Sequence, residues 1–163
     1  MSTIERRSNS IMARLLADRP PRQLPLNEEL SRYLADGVVE RSGCILLKAM
    51  KASARDPVLG PNDDETGYEH FVNHIHVDPQ DSSDTSQLDL GLTYADRLAQ
   101  VLQSSGYEGI FRIILSYNME DRVCTIGFHR VRKGQSWLDD DLEGYRHEGI
   151  MVTDCPGLAP TSG

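Results

Sequence analysis

No apolar run in this chain of 163 residues approaches the roughly 18 needed to span a bilayer; the longest, at residues 44–47, has four. No continuous apolar stretch in the first twenty residues resembles the core of a secretory signal. Residues 1–22 are rich in Arg and Ser, as organellar presequences are, but Glu5 and Asp18 count against that reading. Cysteine is scarce: Cys44, Cys124 and Cys155 are odd in number and far apart, which fits reduced thiols in a cytoplasm better than a disulfide framework. Phosphate-cradling glycine patterns are missing, as are Cys-x-x-Cys, His-Glu-x-x-His and Gly-x-Ser-x-Gly. Cys124 and His129 stand an odd number of residues apart, on opposite faces of a strand, and make a poor nucleophile–base pair. No catalytic residue and no cofactor is therefore expected. Internal repeats are absent as well.

What is present is an uneven charge. The chain carries 17 Lys and Arg against 25 Asp and Glu, a net charge of −8. Residues 1–55 contribute +4 and residues 56–163 contribute −12. Such a second part suits a basic protein partner and is poorly suited to nucleic acid. The length predicts a single domain, 1–163, with a helical part (1–55) and a mixed sheet-and-helix part (56–163).

Helical spacing of Ile4, Ile11, Met12, Leu15 and Leu16 predicts a helix over 2–18, capped by Ser2 or Thr3 and stopped by Pro20 and Pro21. Its basic flank could serve a membrane or a partner's groove, but packing on its own domain is the simpler expectation. A second helix should start at Asn27, with Glu28 and Glu29 in its first turn and a stripe of Leu30, Tyr33, Leu34 and Val38. Residues 44–54 read as further helix, with residues 44–47 alternatively a short strand. Residues 56–67 read as a loop.

Beyond it the pattern is β-α-β-β-β. Residues 68–77 alternate, with Phe71, Ile75 and Val77 on one face and His70, His74 and His76 on the other. Residues 88–104 form an amphipathic helix. Residues 108–117 and 122–131 form a hairpin that buries Phe111, Ile113, Leu115 and Tyr117 against Cys124, Ile126 and Phe128. A final strand covers 149–154. The class is α+β: a mostly antiparallel sheet with helices on one face.

Three constellations could carry chemistry. His70, His74 and His76 are the best metal candidates, but one strand spreads donors too widely to converge on one ion, so they are expected to line a polar face. Asp78, Asp81, Asp84 and Asp89 lack the spacing and the central glycine of a calcium loop. The third is the segment from Arg130 to Tyr145: a basic patch, the single tryptophan Trp137, then Asp139, Asp140, Asp141 and Glu143. Trp, Tyr and Arg dominate interface hot spots.

The hairpin of residues 110–131, the run Arg130-Val131-Arg132-Lys133-Gly134-Gln135-Ser136-Trp137-Leu138, the acids that follow and the strand 149–153 resemble the small acidic immunity proteins of bacterial polymorphic toxins. The resemblance spans about residues 68–154. It implies a cytoplasmic, non-enzymatic inhibitor that occludes a toxin domain, such as a basic nuclease. The expected contacts are Trp137, Asp139, Asp140, Asp141 and Glu143, with Asp63, Asp64 and Glu65 as a second acidic patch. The alternatives are an acidic secretion-type chaperone and a metal-dependent hydrolase using His70, His74 and His76.

Overall fold

The alternation of Phe111, Ile113, Leu115 and Tyr117 places four large apolar side chains on one side of strand β5 (Ile110–Asn118). The computed structural model describes residues 3–51, 64–79 and 84–157. Strand β6 (Val123–Arg130) pairs antiparallel with β5, setting Ile113 opposite Phe128, Leu115 opposite Ile126 and Tyr117 opposite Cys124. Strand β7 (Gly149–Pro156) lies on the other side of β5. Strands β1 (Glu5–Ser8) and β4 (Ile75–Val77) complete a five-stranded antiparallel sheet, in the order β1-β7-β5-β6-β4. The protein is thus α+β, as its patterning predicts.

Helix α5 (Asp84–Gln103) covers the apolar face with Tyr94, Leu98, Ala99 and Leu102. It approaches closely because Gly91 has no side chain: a Cβ there would lie 2.9 Å from Cys124 Sγ. Helices α1 (Ser10–Asp18) and α2 (Glu28–Ala35) extend the same layer through buried Met12, Leu30 and Leu34. Asn27 caps α2 as expected, accepting from Leu30 N at 2.9 Å. A smaller apolar cluster on the other sheet face joins Ile150 and Val152 to Leu142, with Leu138 and Tyr145 packed on it.

Three local expectations are corrected. The helix expected over 2–18 begins only at Ser10, and residues 5–8 are strand. Asn9 sets that boundary, and not Ser2 or Thr3. Its Oδ1 accepts from Met12 N and Ile150 N, both at 3.0 Å, while its Nδ2 donates to Glu148 O at 2.9 Å. One buried side chain therefore caps a helix and ties β1 to β7.

Residues 44–47 take the strand alternative rather than the helix. Strand β3 (Cys44–Leu47) pairs with β2 (Val38–Arg41), so Val38 leaves the α2 stripe. The turn between them places Ser42 and Gly43 at φ of 53° and 81°, the two positive values of a tight hairpin turn. Only a short helix, α3 (Lys48–Lys51), follows. The first 55 residues are therefore not purely helical.

The strand expected over 68–77 is mostly helix: α4 (Glu65–Asn73), followed by the short β4. Asp64 caps it, accepting from Gly67 N at 2.7 Å. Asp89 falls in α5, within the helix expected over 88–104, and is buried as the partner of Arg19 and Arg22. Most of the loop expected over 56–67, together with Asp63 and Asp81, lies outside the described residues.

Candidate functional site

Helix α4 builds the most distinctive surface of the molecule. Glu69 and Asn73 are one turn apart and both buried. Glu69 accepts from Ile45 N at 2.6 Å, Arg130 N at 2.9 Å and Arg132 Nη1 at 2.5 Å. Asn73 accepts from Leu47 N at 2.8 Å and donates to Ile45 O at 2.9 Å and Phe128 O at 3.3 Å. These two side chains satisfy the backbone of β3 and the end of β6 beyond its pairing with β4. The helix thus seals a strand edge that would otherwise offer open hydrogen-bonding groups.

With that face committed, α4 turns Phe71 and His74 outward and lays His70, half-buried, against β6. Phe71, expected in the core face of a strand, is 69% exposed. His70 lies over Gly127, where a Cβ would come within 2.5 Å of its Cε1. Its ring stacks on Trp137, centroids 4.4 Å apart and planes 21° from parallel. Burial, helped by His129 and His74, pushes the His70 pKa down to about 3, so the ring is neutral near pH 7. Its Nδ1 is buried with no hydrogen-bonding partner among the described residues. Trp137 itself remains 47% exposed.

The row continues along the helix. The rings of His70 and His74 are 6.3 Å apart and nearly parallel, Phe71 lies 5.8 Å from His74, and His76 stands edge-on at 5.3 Å from His74. The three histidines do come together, though by a helical turn and a strand step rather than along one strand. They form a row of ring contacts, stacked from His70 to His74 and edge-on from His74 to His76. Among the described residues no three His, Cys, Asp or Glu side chains are grouped to hold a metal ion.

The tryptophan segment is fastened to the start of α4. Gln135 Oε1 accepts from Thr66 N at 3.2 Å and Thr66 Oγ1 at 2.8 Å, and Gln135 Nε2 donates to Glu65 at 2.9 Å. That bond holds the Glu65 carboxyl below its ordinary value. Glu65 of the second acidic patch and the Trp137 segment, far apart in sequence, are therefore parts of one surface. Nothing in the pattern around Gln135 announces this link.

Other expected contact residues have internal duties. Asp64 caps α4. Asp141 caps the 3-10 turn Leu142–Gly144 through Glu143 N at 3.1 Å. Glu143 accepts from Ser10 N and Ser10 Oγ, both at 2.7 Å, at the start of α1. Asp139 and Asp140 are exposed, and their carboxylates accept no hydrogen bond among the described residues. They line an open groove of about 360 Å³ with Arg112, Gln135, Ser136 and Leu138. Arg112 is held there by two bonds to Asp154, at 2.8 and 2.9 Å. Asp63 lies outside the described residues.

Fold and surface together define an α+β protein with an exposed aromatic row beside acidic groups. Among the described residues no helix is long and apolar enough to cross a membrane. The chain belongs to the family described as the uncharacterized protein PM0498 family, whose model matches residues 7–160. No curated protein and no solved structure matches it.

Proposed function

We propose that this protein is a non-enzymatic inhibitor, an immunity protein acting in the bacterial cytoplasm, which binds a basic toxin domain through the surface formed by α4 and residues 132–141. The observation that carries the reading is the exposure of Phe71, on a helix locked in place by buried Glu69 and Asn73, and of Trp137, stacked on His70 of the same helix. Large aromatic side chains on a rigid support are the usual anchors of an interface, because little entropy is lost when they are covered. The carboxylates of Asp139 and Asp140, which accept no hydrogen bond among the described residues, stand ready for Lys or Arg of the partner. The −12 charge beyond residue 55 would speed encounter with a cationic domain.

Affinity capture from the native cells tests this, with three baits compared by quantitative mass spectrometry at low and high salt. The baits are the wild-type chain, a Phe71→Ala/Trp137→Ala variant and an Asp139→Asn/Asp140→Asn variant. The expected result is one stoichiometric basic protein held by the wild type, lost with the aromatic variant, and held more weakly and with less salt dependence by the acidic variant. Equal recovery on all three baits would remove this surface from the interaction. Several unrelated unfolded clients would replace the inhibitor reading with a chaperone.

A further inference from the structure

At the far end of the aromatic row, His74 and His76 are arranged as a pair of metal donors. His74 is the extended residue that closes α4, at φ −77° and ψ 142°, and His76 is the central residue of β4. Two residues apart on extended backbone, their side chains leave the same face. His74 Nδ1 lies 2.6 Å from Phe71 O. A carbonyl oxygen can only accept, so Nδ1 carries the proton, and in the neutral ring the lone pair is on Nε2. A backbone carbonyl holding one imidazole nitrogen while the other stays available is the support that metal-binding histidines ordinarily have. His76 is exposed.

The ring separation fits as well. Imidazole nitrogens held at about 2.0–2.1 Å from one ion set two ligating ring centroids roughly 4.5 Å apart in cis square-planar coordination and roughly 5 Å apart in tetrahedral coordination. The centroids of His74 and His76 are 5.3 Å apart. His70 cannot join them, because it is buried between α4 and β6 and stacked on Trp137.

We propose that His74 and His76 form a two-ligand surface site for a divalent transition-metal ion, with water completing its coordination. Imidazole donors favour copper(II) over nickel(II) and zinc(II), so copper(II) is the probe of choice. The site stands independently of any protein partner.

The full chain offers a direct readout, since its one tryptophan lies two ring contacts from His74. Copper(II) should quench Trp137 fluorescence saturably at one equivalent, and electron paramagnetic resonance should show nitrogen couplings from two imidazoles. His74→Gln and His76→Gln should each weaken binding by about tenfold or more, while His147→Gln leaves it unchanged. Circular dichroism of each variant checks that the fold is kept. Binding that is equally tight in His74→Gln and His76→Gln, or that is lost in His147→Gln, would overturn the site. So would quenching that never saturates.

Discussion

Trp137 lies flat against His70, and His70 lies over Gly127, so a single glycine in β6 determines how the surface tryptophan is held. The stack places a neutral imidazole beneath the indole, with its Nδ1 buried and unpaired. Several consequences can be measured.

The first concerns acid. His70 has a folded pKa of about 3, depressed by burial, against an ordinary value near 6.5 in the unfolded chain. His129 is depressed in the same direction, also by burial. Above pH 6.5 the groups are neutral in both states and contribute no pH dependence. Below it the unfolded chain binds protons that the folded chain refuses, so stability falls as pH drops from 6.5 toward 3. Urea unfolding midpoints should already decline between pH 6.5 and 5, above the main carboxylate range. His70→Phe removes the unpaired nitrogen, so stability at pH 7 should hold or rise and that decline should shrink. A decline as steep in His70→Phe as in the wild type would assign the effect to other groups.

Gly127→Ala should be costly for a residue so small. Its Cβ would meet the His70 ring at 2.5 Å, and either His70 and Trp137 move or β6 bends. A loss of about 1–3 kcal/mol is expected from overpacking. Trp137 emission should shift to the red as the stack opens. Unchanged emission and unchanged stability would mean the ring slides aside freely.

Asn73→Leu tests the sealing of the strand edge. It strips partners from Leu47 N, Ile45 O and Phe128 O in a dry environment. Unpaired buried groups cost about 1–3 kcal/mol each, so the loss should reach at least about 2 kcal/mol. Amide exchange at Leu47 should accelerate in the variant. Slow exchange there would show that another group takes over the bond.

The acids divide by their duties. Asp139→Asn with Asp140→Asn should leave thermal stability within about 0.5 kcal/mol of wild type, as surface changes do. Glu143→Ala should cost about 0.5–1 kcal/mol, because Ser10 N at the head of α1 loses a charged acceptor. Denaturant titration of the two variants side by side separates them. A larger loss from the aspartate pair would give it a structural role.

Local pattern was sufficient where one face of an element meets one core. The alternation of Phe111, Ile113, Leu115 and Tyr117 specifies β5, and the apolar stripe of residues 88–104 specifies α5, because burial follows the period of the backbone. Asn27 specifies the start of α2 because a cap acts within a few residues. The strand expected over 68–77 failed for the same kind of reason. Phe71, Ile75 and Val77 alternate across a boundary between helix and strand, and Phe71 is not buried at all. The duties of Glu69 and Asn73, and the tie of Asn9 to β7, had no local signal, because each depends on backbone groups supplied by distant strands.

The candidate surface shows the same division. That an acidic chain carries one tryptophan next to three consecutive aspartates can be read directly, since composition and order are local facts. It took the folded chain to rest Trp137 on His70, to join Glu65 to that segment through Gln135, and to occupy Glu143 with Ser10 while the carboxylates of Asp139 and Asp140 accept no hydrogen bond among the described residues. Stacking and hydrogen bonding act over a few ångströms. Which residues come that close is settled by how the whole sheet is paired and not by their spacing along the chain.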